Sequence, residues 1–492
     1  MSRHAINSQS INRLSKKAPK KWSAVLAATL LLTAAPDVLA EKIRVAIGTQ
    51  DTTINCATGG ALIRELNLLE KYLPHDGKYA DAEYQIEWKN FTSGAPLTNE
   101  MVAGKLDIGS MADFPGSFNG QAHITAGKES QFITVLSGSI QGSGNGIVVP
   151  FNSPVQSISE LKGKTISVPF ASTAHGVLLR AIQQQGWDPN TDVNIIAQAP
   201  EVAGSELKAG KIAAHADFVP FADLFPYRGI ARKIYDGSQT NAPTFHGSLV
   251  DAAYARQYPE IVTAFLQAAL EADRLISAEP EKYSQLIADK TGIDAEVVYL
   301  FHGPQGLQRR SFAWKPEYRQ ALATAFDTLK LLKKVDGKLN VDRFVNDTFI
   351  RAAFAKSGLD YDAQLKDYAK QPLQDKDSAT GKPITDVQHL VQVWVKGEDK
   401  VRHYGSAASA FSELAQLEKS GKQVRVVYAH DRDSGLKLFA RDAWFAKDAS
   451  GEINAFLLKA QAEQFAQQNQ GKVLNFADAK TAFGTASVAL AN

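Results

Sequence analysis

The stretch LKGKTISVPFASTAHGVLLRAI, residues 161–182, contains a Gly turn, a short β-rich run, a turn of small hydroxylated residues, and then apolar positions at helical spacing. It reads as a strand feeding a helix over residues 175–185. The same scheme recurs along the chain. Residues 43–48 (IRVAIG), 84–91 (YQIEWKNF), 193–198 (VNIIAQ) and the runs LDIGSM and AHADFV are expected strands. Residues 61–73, 96–105 and 201–211 are expected helices between them, and from Pro259 to about Lys356 the pattern is mostly helical. Strands alternating with helices predict an α/β sheet with helices on both faces.

The two ends of the chain read differently. Five basic residues, Arg13, Lys16, Lys17, Lys20 and Lys21, precede an apolar run over 22–35 and a small-residue end at Ala40. That order predicts a secretory signal peptide cleaved after Ala40, too short in its apolar core to span a bilayer. Residues 1–40 hold six of the 54 Lys and Arg and one of the 52 Asp and Glu, so the remainder carries a net charge of about −3. No electrostatic footprint for nucleic acid survives, and no membrane insertion is expected after cleavage. Cys56 is the single cysteine, so no intrachain disulfide can form. Export with one cysteine fits the periplasm, and Cys56 is expected to be simply buried. Residues 370–385 (KQPLQDKDSATGKPIT) are polar with no apolar period and read as a linker. Residues 386–492 then read as a separate small α+β domain.

For catalysis, His175, Asp217 and the hydroxyls of Ser172 and Thr173 could form a nucleophile, base and orienter. No G-x-S-x-G elbow accompanies them, and no cofactor motif is present, so no catalytic residue, cofactor or metal is assigned. The alternative is an anion cradle: a helix beginning near Thr173 leaves its first N–H groups unpaired, and adjacent hydroxyls add donors. Simple capping of the helix by Ser172 or Thr173 remains open on these residues alone.

The ordered stretches FTSGAPLTNEMVAGKLDIGSMADFPG (91–116), 161–182, ADFVPFAD (216–223) and APTFHGSLVDAAYARQYPEIVTAF (242–265) resemble the periplasmic substrate-binding proteins of ABC importers, in the nitrate/sulfonate/taurine group. The resemblance implies a two-lobed periplasmic binding protein (type II) fold with a hinge cleft over residues 41–360. Lobe one would be about 42–147 and 249–350, and lobe two about 150–245. It implies a binding protein rather than an enzyme, with a small solute and the membrane permease of an ABC importer as partners. The matching ligand loops place Gln50, Asp51 and Thr52, then Asp113 and Phe114, then Ser172, Thr173, His175 and Phe218 in the cleft, with Ser143 and Asn145 at its floor. Asp51 and Asp113 among these hydroxyls would attract a cation, so a taurine- or sulfonate-like, zwitterionic or amine-bearing solute is expected.

In the tail, VVYAHDRDSGLKLFARDAWFAKDAS (426–450) and INAFLLKAQAEQFAQQNQGKVLNFADA (453–479) resemble the NosL-type copper-binding accessory proteins, over about 386–480. That family implies copper held by soft Met and Cys ligands. No Met follows Met111 and no Cys follows Cys56. The copper site is therefore expected to be absent, with His389, His403 and His430 as scattered histidines. Metal trafficking through this tail is the alternative function.

Overall fold

The computed structural model describes residues 42–370, 373 and 375–484; the expected signal peptide and its cleavage point lie outside the described residues. Ten strands build the first two sheets: β1 (Lys42–Thr49), β2 (Glu83–Asn90), β3 (Ile108–Ala112), β4 (Ser130–Ser139), β5 (Gly146–Pro150), β6 (Thr165–Val168), β7 (Asn194–Ala197), β8 (Ala214–Asp217), β9 (Ala231–Asp236) and β10 (Thr244–Asp251). With the short β11 (Arg309–Arg310), lobe one is a six-stranded sheet in the order β11-β4-β10-β3-β1-β2, and lobe two is β7-β6-β8-β5-β9. In each lobe a parallel core accepts an antiparallel strand that arrives from the other lobe: β10 lies between β3 and β4, and β5 lies between β8 and β9. The fold is thus a two-lobed α/β binding-protein fold.

The chain crosses between lobes twice, over residues 140–145 and 237–243. The crossings touch backbone to backbone. A Cβ on Gly237 would sit 2.1 Å from the Gly142 carbonyl oxygen, and one on Gly142, whose φ is +94°, would sit 2.5 Å from that of Ala242. Only glycine satisfies the close approach and, at Gly142, the left-handed backbone.

One helix expected over 61–73 is two, Ala61–Glu65 and Leu68–Tyr72, because Asn67 between them is left-handed at φ +50°. Asn tolerates that region through its short polar side chain. Cys56 is buried in the turn before them, and burial pushes its thiol upward, away from reactivity.

The tail has its own two sheets, β13-β12-β14-β15 from β12 (Val391–Val395), β13 (Arg402–Tyr404), β14 (Val424–His430) and β15 (Lys437–Phe439), and a three-stranded sheet of β16 (Trp444–Lys447), β17 (Ile453–Phe456) and β18 (Leu474–Asn475). Ala455 and Phe456 belong to β17. Val391, Val393 and Val395 face the tail's own helix Ala407–Lys419 and its core. Trp394 and Tyr428 lie in the core shared with lobe one, because a strand buried on both faces needs apolar residues on both.

The tail, with a core cluster of its own, also packs on both lobes. Its sheet lies against the lobe-one helix Ala295–His302: Tyr299 packs on Trp394 and Tyr428, and the Tyr428 hydroxyl donates to Glu296 O at 2.8 Å. Arg425 pairs with Glu296 at 2.6 Å. On the other side Arg441 donates to the Pro226 and Tyr227 carbonyls of lobe two. Within the expected linker, residues 371, 372 and 374 lie outside the described residues. The remainder is structured: Asp377 is buried and accepts from Thr380 N at 2.8 Å and Gly405 N at 2.8 Å.

Lys437 is the tail's deepest charge site. Its Nζ sits 4.2 Å from the Tyr299 ring centroid and 4.5 Å from that of Tyr428, and donates to the Tyr299 and Pro304 carbonyls at 3.3 Å. Burial lowers its pKa well below the ordinary lysine value. Between that lowered value and about 10.4, the unfolded chain binds a proton that the folded protein does not, so stability rises with pH through this window. Lys437→Met, which keeps volume without charge, is expected to lower the slope by this lysine's share, up to about 1.4 kcal/mol per pH unit. Urea unfolding at several pH values between 7 and 10 checks this; a slope unchanged in the variant refutes a neutral buried lysine.

Candidate functional site

A cavity of about 240 Å3 lies between the lobes. The loop after β1 contributes Gln50 and Thr53, the start of the helix Gly94–Val102 contributes Ser93 and Gly94, and the turn after β6 contributes Pro169, Phe170, Ala171, Ser172 and Thr173. Phe218 follows β8, His246 stands on β10, and Lys334 follows the helix Pro316–Leu331. Ligand groups at the carboxyl ends of strands are the expected geometry of an open α/β sheet. Of the residues expected in the cleft, Gln50, Ser172, Thr173 and Phe218 line this cavity.

The turn after β6 is built by local hydrogen bonds. Ser172 caps the helix Thr173–Gln184, accepting from His175 N at 3.3 Å and donating to Pro169 O at 2.6 Å. Ala171 is left-handed at φ +59°, and its N–H donates to His175 Nδ1 at 3.3 Å. His175 stacks on Phe170 at 4.7 Å and is buried, which lowers its pKa to about 4. It is a neutral support for the turn and does not line the cavity.

Asp113 takes a different place from the one expected. It opens the helix Asp113–Thr125, is fully buried, and accepts from Phe114 N at 2.8 Å and from the Thr173 hydroxyl at 2.7 Å. It thus joins lobe one to lobe two behind the cavity wall. Burial raises its pKa to about 6 despite those two donors and the more distant Arg180. Phe114 does not face a ligand either: its ring fills the space beside Gly176, where a Cβ would sit 2.3 Å from it.

The other expected ligand residues are also otherwise engaged. Asp51 pairs with Arg64 at 2.9 Å, and its N–H donates to Asn90. Thr52 beside it is outside the cavity lining. Ser143 donates to Leu307 O at 2.9 Å and Asn145 to Gly142 O at 3.4 Å, so both belong to the crossing rather than the cleft floor. Asp217 bonds His215 at 2.9 Å, and His215 bonds Ser167 at 2.8 Å. All three are completely buried, which removes them from any substrate as well as from the cavity.

Sequence reasoning missed His246 and Lys334. His246 is buried, its pKa is pushed down to about 3, and Asn55 Nδ2 approaches its Nδ1 at 3.3 Å. With Asn55 as donor the proton rests on Nε2, making a neutral N–H donor in the cavity lining. Among the described residues Lys334 is the sole charged residue of the lining, and its field also disfavours protonation of His175. No Asp or Glu among the described residues lines the cavity.

This chain matches the NMT1-like family over residues 73–288. It is 30% identical over 285 residues to a protein of Escherichia coli (strain K12) described as an aliphatic sulfonates-binding protein, covering 56% of this chain and 83% of that one. The chain belongs to this family of periplasmic binding proteins. Within the family it is also 27% identical over 199 residues to the taurine-binding periplasmic protein of Escherichia coli, covering 40% of this chain and 59% of that protein. Among solved structures, the periplasmic aliphatic sulphonate binding protein of Escherichia coli aligns with TM-score 0.50 at 25% identity, covering 62% of this chain and 97% of that one. The alkanesulfonate-binding protein of Xanthomonas axonopodis pv. citri aligns with TM-score 0.52 at 21% identity, over 63% of this chain and all of that one, a likeness of fold. No helix among the described residues is long and apolar enough to cross a membrane.

Because the Asp113 pKa is raised in the folded state, the folded protein holds a proton between pH about 4 and 6 that the unfolded chain releases. Its contribution to stability is full below pH about 4 and is lost as pH rises through about 6. Asp113→Asn keeps an acceptor for Thr173 and is expected to remove this loss, on the order of 2–3 kcal/mol across the window. Denaturation of the two proteins from pH 4 to 7.5 checks it; parallel curves would show that Asp113 ionises freely.

Proposed function

We propose that the protein captures a small organic anion between its lobes and delivers it to the membrane permease of an ABC importer. The observation that carries this reading is the composition of the cavity wall: apolar surface from Ala95, Ala112, Pro115, Phe118, Phe170 and Phe218, one cation at Lys334, and no carboxylate. The relatives named for sulfonates and taurine support a sulfonate-bearing ligand, with a short aliphatic or aromatic body against the phenylalanines. The head group would meet Lys334, the helix N-terminus at Thr173 and the neutral donor His246. The amine of a zwitterion finds no carboxylate in the cavity wall, since Asp51 is paired with Arg64 and Asp113 with Thr173.

For the tail, the resemblance to NosL-type proteins supports a docking or stabilising module that has lost its metal chemistry. Its histidines have separate partners: His389 bonds Asp386, His403 bonds Asp375, and His430 bonds the Leu390 carbonyl. Among the described residues no group of three or more His, Cys, Asp and Glu is placed to hold a metal ion.

A thermal-shift screen against alkanesulfonates, taurine, aromatic sulfonates, carboxylates and nitrate tests the cleft reading, with Cu(I) and Zn(II) as separate arms. Stabilisation by a sulfonate is the expected result. Lys334→Gln should weaken binding of that ligand roughly tenfold, about 1.4 kcal/mol in calorimetry. Stabilisation by metal alone would move the function to the tail.

A further inference from the structure

A second cavity, of about 260 Å3, opens where the first lobe crossing, lobe one, residues 368–370 and the tail meet. Its lining shares no residue with the interlobe cavity. Among the described residues three cations converge on it, Arg309, Lys315 and Lys370, and no Asp or Glu lines it.

The cations are held in place by neutral groups for the most part. Lys315 is fully buried and donates to the Gln364 and Leu365 carbonyls at 2.7 and 2.8 Å, with its Nζ 4.3 Å from the centroid of the Tyr368 ring. Burial and the neighbouring Arg309 lower its pKa to about 8. Lys370 donates to the Gly435 carbonyl at 2.6 Å, and burial lowers its pKa too. Arg309 donates to the Ala369 carbonyl and pairs with Asp367 at 2.6 Å. Its Nε is buried and has no hydrogen-bond partner among the described residues. The other nearby acid, Glu317, is engaged by the Tyr368 hydroxyl at 3.0 Å.

An unpartnered buried guanidinium N–H is costly, and like charges gathered in one cavity repel. An anion seated among the three side chains relieves that repulsion. We propose that this cavity is a second ligand site, built for a small multivalent oxyanion such as phosphate, sulfate or a di- or tricarboxylate. Arg309 supplies the planar donor edge suited to an oxyanion, and Lys315 and Lys370 supply the point charges. The site touches the lobe crossing through Ser143 and the tail through Ser434, so its occupant would tie the tail to the hinge.

Calorimetry of the full chain with inorganic phosphate, sulfate and citrate in turn, at low ionic strength, tests the proposal. One equivalent of at least one of these anions is expected to bind. Lys370→Gln should weaken that binding roughly tenfold or more, while Lys334→Gln, in the interlobe cavity, leaves it unchanged. Should Lys370→Gln loosen the tail, Arg309→Lys keeps the charge but loses the planar donor edge and should weaken binding similarly. Three results would overturn the proposal: no binding of any of the three anions, loss of binding in Lys334→Gln alone, or equal binding in every variant, which marks an adventitious ion only.

Discussion

The hydrogen bond from the Thr173 hydroxyl to the buried Asp113 carboxyl sets the N-terminus of one helix against the N-terminus of another, across the boundary between lobes. Each terminus carries a partial positive charge, and the two would repel without an acceptor between them. Asp113 supplies it. The Phe114 ring seated beside Gly176 adds shape complementarity to the same junction. The cavity in front of this junction inherits the positive ends of the helices and Lys334, while the carboxyl stays behind the wall. On that arrangement rests the proposal of an anionic ligand.

The alternation of short β-rich runs and helical spacing made both lobes legible, because each strand and helix buries one face at its own period. The loops after β1, β6 and β8 were legible for the same reason: a turn at a strand's carboxyl end points into the cleft whatever follows it. Burial was not legible. Nothing local distinguishes Asp113, sealed between two helix ends, from an acid facing a solute, nor Ser143 and Asn145 in the crossing from a cleft floor. His246 and Lys334 reach the cavity through tertiary topology: β10 returns to lobe one beside β3, and the segment after the helix Pro316–Leu331 meets the cavity. In the tail, the second buried face of the strand VQVWV depends on Tyr299, almost a hundred residues earlier, which nothing local announces.

The tail changes the mechanics of the molecule. It rests on Ala295–His302 of lobe one and, through Arg441, on the end of the lobe-two helix Phe221–Tyr227. The lobes also meet directly there, where Arg228 bonds Asp294 at 2.8 Å. Rotation of one lobe against the other would have to slide or break these contacts, so the tail would take part in such a motion although none of its described residues lines the cleft.

The contacts between Asp113 and Thr173 and between Phe114 and Gly176 are made by protein groups alone, so they favour the closed arrangement to the same degree for every solute. In a population of open and closed molecules they enlarge the closed fraction in advance, and apparent affinity rises in proportion to that fraction. The gain is indifferent to chemistry: it strengthens good and poor ligands alike and leaves their ratio to the cavity wall. If the protein serves a permease as proposed, it also narrows the difference in shape between loaded and empty carrier that such a permease would read. Loosening this latch would therefore trade affinity for a clearer delivery signal without altering a single residue of the cavity's apolar wall.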